Sequence, residues 1–197
     1  MDTTTDAPKT DHILVDYPYV LTGKRPKRFY VNAGNDLIAG FIRTARKWDY
    51  ELMANLYLTA SRGGSFLEVG ANIGSDTLLA SDFFKDVYAF EPVAAHLDML
   101  RKNIELNQVT NIQVFPYAVA DAPGTTRIYL GTQNNSGSSS LAPNHPGMEQ
   151  QYQDVQVVTL DTALPESVRD VTFMHIDTEG HDIKVLQGAR RFITRQQ

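Results

Sequence analysis

Apolar positions divide the chain into two unlike parts. Residues 1–26 are polar and carry Pro8, Pro18 and Pro26, so they predict a loose arm with at most a short strand near residues 12–15. Phe29-Tyr30-Val31 and the apolar run 37–42 flank a turn-rich stretch at 32–36, which predicts a small hairpin. Trp48, Leu52, Leu56 and Ala60 recur every four residues, the spacing of an amphipathic helix over 48–61, closed by Gly63-Gly64. From residue 65 strands and helices alternate. Apolar runs at 65–69, 86–90 and 112–119 predict strands. Between them, 75–84 (Leu78, Leu79, Phe83) and 94–107 (Leu97, Leu100, Ile104) predict helices. Short connections in such a run predict a parallel sheet with helices on both faces. Strands at 126–130 and 155–160 bracket an insert at 131–154, and a strand at 172–176 leads into a helix over 181–194. The expected partition is an arm (1–26), a hairpin plus helix (27–64) and an α/β core (65–197).

Composition changes this picture in three places. No Asp, Glu, Lys or Arg occurs from 128 through 148, and 134–140 reads Asn-Asn-Ser-Gly-Ser-Ser-Ser, so the insert reads as a linker rather than a lid. The 197 residues carry 18 Lys+Arg and 23 Asp+Glu, a net charge of −5, which excludes nucleic-acid binding by bulk electrostatics. Cysteine is absent, which removes disulfides, thiolate zinc sites and a cysteine nucleophile, and fits a reducing compartment. The start lacks an apolar run behind a basic segment, and no stretch approaches the ~20 apolar residues of a membrane span. A soluble cytoplasmic domain, without a membrane partner, is the expectation.

The chemistry begins at 66–77, Phe-Leu-Glu-Val-Gly-Ala-Asn-Ile-Gly-Ser-Asp-Thr. A buried strand runs into a turn with Gly70, Asn72 and Gly74, residue types that tolerate left-handed backbone and close approach of a ligand. Open α/β sheets bind ligands at this end of their strands. Glu91 ends the next strand and Pro92 stops it there, so its carboxylate can accept both hydroxyls of a ribose. Together these residues point to an adenosine ligand. A dinucleotide fingerprint would want Gly at 70, 72 and 75, where this chain has Gly, Asn and Ser. Glu68 would repel a pyrophosphate but suits a sulfonium-bearing amino acid, so S-adenosylmethionine is preferred over NAD.

Seven motifs carry a resemblance. They are Glu-Val-Gly-Ala-Asn-Ile-Gly (68–74), Ala-Phe-Glu-Pro (89–92), Leu-x-x-Asn (100–103), Ala-Val-Ala-Asp (118–121), Asn-Ser-Gly-x-Ser-Ser-Leu (135–141), Val-Thr-Leu-Asp (158–161) and Ile-Asp-Thr-Glu-Gly-His-Asp (176–182). In this order, over roughly 30–195, the chain resembles the FkbM-type methyltransferases. The resemblance implies a Rossmann-like doubly wound α/β sheet of the class I methyltransferase type. It also implies S-adenosylmethionine as cofactor and a hydroxyl oxygen of a small molecule or glycan as acceptor. By the same resemblance Glu68, Gly70, Asn72 and Gly74 match the loop around the methionine moiety, Glu91 the ribose-binding acid, and Ala118, Val119 and Asp121 the surroundings of the adenine, with Ala71, Asp76 and Pro92 also expected at the cofactor. For Asp121 a turn role before Pro123-Gly124 stands nearly level.

The run 175–182, His-Ile-Asp-Thr-Glu-Gly-His-Asp, gathers carboxylates and imidazoles at a strand end. Alternation puts His175 and Asp177 on one side of the strand. Asp177 or His181 could take the acceptor's proton, with Glu179 orienting the acceptor, while Asp182 suits a helix N-terminus. Asp177 and Glu179 could instead hold Mg²⁺, but two carboxylates two residues apart are a weak metal signal, and a site without metal is favoured. His12, His96 and His145 are expected at the surface. The resemblance also implies strands after the last helix that this chain lacks. An exposed apolar sheet edge beside 172–176 is therefore expected, covered in the working protein by a longer product, a second copy or another subunit. Rival readings are an NAD(P)-dependent oxidoreductase and a non-catalytic S-adenosylmethionine-binding module.

Overall fold

The computed structural model describes residues 12–17, 26–34, 36–44, 54–56, 58–59, 63–132, 134–142 and 151–196. Its first half runs β1 (His12–Tyr17), β2 (Lys27–Asn32), α1 (Leu37–Arg43), β3 (Ser65–Val69), α2 (Ser75–Ala80), β4 (Val87–Phe90) and α3 (Ala94–Leu106). The second half runs β5 (Ile112–Phe115), β6 (Ala118–Val119), β7 (Gly124–Tyr129), β8 (Tyr152–Val158), α4 (Leu160–Ala163), β9 (Val171–Ile176), α5 (Asp182–Gln187) and α6 (Arg190–Thr194).

The central sheet has the order β5-β4-β3-β9, and each neighbouring pair is parallel. Successive strands therefore step one way from β3 to β5, and β9 then returns to the other side of β3. Every residue of β3 and β4 is buried, which is why both read as continuous apolar runs rather than alternating ones. Leu67, Val69, Tyr88 and Phe90 pack on one face against Leu160, Val185 and Phe192. Phe66 and Val87 pack on the other against Leu79 and Phe84.

The hairpin expected at 29–42 is instead formed by β1 with β2, antiparallel from His12↔Asn32 to Tyr17↔Lys27. The second half of the expected hairpin is helix α1. Asp36 caps it, its Oδ2 accepting from Ala39 N at 3.0 Å, and Ile38, Ala39 and Ile42 fall on one buried face. Residues 54–56 and 58–59 of the helix expected over 48–61 are helical, and the rest of that span lies outside the described residues. The arm 1–26 likewise lies outside them, except for 12–17 and Pro26.

The single strand expected at 112–119 is two. Pro116 has no N–H for a ladder, and beyond it β6 leaves the parallel sheet to pair with β8, which also pairs antiparallel with β7. The helix expected over 181–194 breaks at Gly188, where a Cβ would strike the carbonyl of Ala120. Strand β9 is the edge of the parallel sheet, with Phe173, Met174 and Ile176 half-buried. Val171 N on that strand donates to Gln196 Oε1 at 3.0 Å. Among the described residues no helix is long and apolar enough to cross a membrane.

Candidate functional site

Strand order fixes where a ligand can bind. The chain steps one way from β3 to β4 and the other way to β9, so the loops after β3 and β9 separate and leave a crevice between them. Asp177 N, just past β9, donates to Val69 O at 2.9 Å and pins the two strand ends together. Gly70 follows with φ +97, and any side chain there would overlap the Asp177 carbonyl. The loop is held from β4 as well, since Gly70 N and Ala71 N both donate to Phe90 O at 3.0 Å.

Glu91 occupies the next strand end and is 4% exposed. Its Oε2 accepts from Asn72 N and its Oε1 from Val93 N, each at 2.8 Å. The carboxylate is thus fixed in rotation while each oxygen keeps a lone pair. It lines a narrow cavity whose apolar wall includes Val69, Ala118 and Val119. A second cavity of about 140 Å³ is lined by Glu68, Asp76, His175, Asp177 and Glu179. Gly70, Asn72, Gly137 and Asp177 line both, so the two meet at these residues.

The Ser-rich insert is not a linker here. Residues Ser136–Ser138 form a 3₁₀ turn over the crevice. Ser136 N donates to Asp36 Oδ1 at 2.8 Å, Leu37 N donates to Asn134 O at 2.9 Å, and Ser140 Oγ donates to Glu179 O at 2.8 Å. Uncharged side chains suit a roof whose underside faces several carboxylates, and that use is invisible to composition alone.

The second cavity is electrostatically loaded. Glu68 and Asp76 are buried, and with His175 they place ligand-type atoms within 4.8 Å of one another. His175 Nδ1 lies 3.3 Å from Glu68 Oε1, and Thr77 Oγ1 donates to Glu68 Oε2. Burial works to lower the His175 pKa, but the Glu68 hydrogen bond and the charges of Glu68, Asp76 and Asp177 outweigh it and lift the group to about 9. A divalent ion bound to these atoms would need that imidazole deprotonated. Asp177 opens to the crevice, yet the surrounding protein desolvates it and raises its pKa, with His175 pulling the other way. Desolvation and the charge of Lys184 lower the His181 pKa.

Of the residues expected from the sequence, Gly70, Asn72, Glu91, Pro92, Ala118, Val119 and Asp177 line the first cavity. Glu68, Ala71, Asp76 and Glu179 line the second. Gly74 lies behind the loop as the N-cap of α2. Asp121 stands apart, exposed and paired with Lys184 at 3.3 Å. His181 lines neither cavity, and its Nδ1 is buried without a hydrogen-bond partner among the described residues. Asp182 closes the loop by accepting from Thr178 N and Oγ1.

Three contributors were missed. His175 carries the alternation signal with Asp177, but its partner Glu68 is 107 residues away. His96 is not a surface residue, since its side chain is 12% exposed, lines the first cavity and sits 3.5 Å from Glu91 Oε1. Gly137 belongs to the roof. His12 is half-buried, and His145 lies outside the described residues.

Strand order, the glycine loop and the buried acid that follows β4 together define a Rossmann-like fold of the class I methyltransferase type. The family model described as "Methyltransferase FkbM domain" matches residues 68–197. The chain belongs to this family. A curated relative, "Methyltransferase 1" of Beauveria bassiana (strain ARSEF 2860), is 28% identical over 142 residues, 62% of this chain and 57% of the relative. The chain thus spans little more than half of that relative's length. Among solved structures, methyltransferase FkbM from Methylobacillus flagellatus KT is 18% identical with a TM-score of 0.47, over 80% of this chain and 39% of that one. TYW2 of M. jannaschii, solved in complex with AdoMet, is 20% identical with a TM-score of 0.31, over 45% of this chain and 38% of that one.

Proposed function

We propose that the chain binds S-adenosylmethionine across the two cavities and transfers its methyl group to a hydroxyl oxygen of a small molecule or glycan. The observation that carries this reading is Glu91, a buried carboxylate locked by two backbone donors with lone pairs left at the cavity. That is the arrangement a ribose diol needs, while Val69, Ala118 and Val119 offer the apolar wall for a flat ring. Glu68 and Asp76 supply anionic acceptors for an amino-acid ammonium group in the second cavity. S-adenosylmethionine supplies a sulfonium carbon from which the methyl group leaves by in-line displacement. Asp177, where the cavities meet, orients the acceptor hydroxyl and receives its proton, and its raised pKa makes it a stronger base than an ordinary carboxylate. Glu179 at the rim is placed to hold the acceptor's neighbouring hydroxyls.

Calorimetry with S-adenosylmethionine, its demethylated product and NAD tests the cofactor. Heat with the first two and none with NAD supports the reading, and the reverse sinks it. A screen of hydroxylated metabolites with labelled S-adenosylmethionine then tests the acceptor class. Binding without turnover on any alcohol would favour a non-catalytic module.

A further inference from the structure

Glu68, Asp76 and Asp177 bring three carboxylates to the second cavity, with Glu179 at its rim. Carboxylates so close repel one another, and a donor that bridges them can hold them in place. The protein places a cation-forming side chain among them. His175 on β9 stands opposite Glu68 on β3 in the parallel register, and the two side chains are 23% and 3% exposed.

We propose that His175 is a positioning residue for the amino-acid end of the cofactor. Its ring holds the Glu68 carboxylate aimed at the cavity, where Glu68 and Asp76 receive the cofactor's α-ammonium group. The inference rests on the S-adenosylmethionine reading above. Geometry supports it from two sides. Nδ1 of His175 holds Glu68 Oε1 at 3.3 Å while Thr77 Oγ1 holds Oε2, so the carboxylate cannot swing away from the glycine loop. Among the described residues, the acidic side chains that act on the ring are Glu68 from β3, Asp76 from α2 and Asp177 from the end of β9. Asp182, at the start of α5, acts on Asp177. With its pKa at about 9 the ring carries a charge at neutral pH. The same ring tempers the desolvation that raises the Asp177 pKa, so one imidazole links the binding carboxylate to the proposed base.

The experiment is a calorimetric titration of the full chain at pH 7.5 with S-adenosylhomocysteine, which has the α-ammonium group, and with adenosine, which lacks it. Wild type is compared with His175→Gln and His175→Lys. His175→Gln is expected to weaken S-adenosylhomocysteine binding by about tenfold, the scale of one charge-assisted hydrogen bond, and to leave adenosine unchanged. His175→Lys, which keeps the charge, is expected to restore most of the loss. Equal losses for both ligands would mark a merely structural role and overturn the proposal. An undiminished affinity in His175→Gln, or no rescue by lysine, would do the same. Wild type binding neither ligand would refute the cofactor reading, and this inference with it. If His175→Gln does not fold, ¹⁵N NMR of the wild-type histidine rings decides: a neutral His175 ring at pH 7.5 overturns the proposal, and a charged one sustains it.

Discussion

Glu91 shows how a single side chain makes a site both rigid and receptive. Each of its oxygens already carries a backbone donor, so its orientation is set before any ligand arrives. Glu91→Gln keeps the shape but turns one oxygen into an NH₂ group facing a backbone N–H. Loss of one charged acceptor costs about 1.5–3 kcal/mol, so S-adenosylhomocysteine affinity should fall roughly 10- to 100-fold by calorimetry. Unchanged affinity would remove Glu91 from the ribose site. Asp177 makes a pH prediction. Its folded pKa is raised, chiefly by desolvation, so methyl transfer should decline as pH falls through a value above the ordinary carboxylate range. Asp177→Asn should erase that acid limb and slow turnover by about 10²- to 10⁴-fold, read from kcat against pH. A limb that survives the substitution assigns the base elsewhere. Glu91 was legible in the sequence because strand, acid and proline are neighbours. The Glu68–His175 pair spans 107 residues and the Lys184–Asp121 pair 63, and only the fold's register brings such partners together.

Elements were legible where one physical signal acted alone. β3 and β4 are buried on both faces and read plainly as strands. Residues 37–42 are apolar enough for either element, and the side chain of Asp36, which caps Ala39 N, settles the matter for helix α1. The Leu-x-x-Asn motif on α3 finds its physical reason in the tie between this helix and β2. Asn103 Oδ1 accepts from Tyr30 N, and its Nδ2 donates to Tyr30 O and to Ile73 O in the glycine loop. One turn on, Asn107 accepts from Arg28 N and donates to Arg28 O. Two asparagines on one helix face thus do for β2 what a neighbouring strand would do, bonding alternate residues. Asn103 is fully buried, so Asn103→Ala leaves the buried carbonyl of Ile73 and the half-buried backbone groups of Tyr30 without their partner. That substitution should cost about 2–3 kcal/mol in chemical denaturation. Asn107→Ala, whose bonds to Arg28 are exposed, should cost about 1 kcal/mol or less. Equal costs would contradict the burial argument.

At the scale of the molecule, the roof joins parts that the chain keeps far apart. Asp36 lies before α1, yet its two oxygens serve both Ala39 N in that helix and Ser136 N in the roof, 100 residues on. A Cβ on Gly137 would strike Ile38 of α1, so the roof lies directly against that helix, and Ser140 Oγ grips the carbonyl of Glu179 beyond β9. The N-terminal segment, the insert and the acidic loop are therefore a single closure over the crevice. Cutting its two ends separately should have different effects. Asp36→Ala removes a helix cap as well as a roof bond, so it should cost about 1–2 kcal/mol of stability in addition to weakening ligand binding. Ser140→Ala removes the far anchor and a long 3.4 Å bond from Ala142 N but no helix cap, so stability should stay within about 1 kcal/mol of wild type. Amide exchange at 136–140 should nonetheless rise, and S-adenosylhomocysteine affinity should fall several-fold, because binding must then also order the roof. If both variants bind as wild type does, the roof is a bystander to the ligand. If Ser140→Ala alone binds as wild type does, the closure is held from the α1 side, and the Glu179 contact only packs the loop.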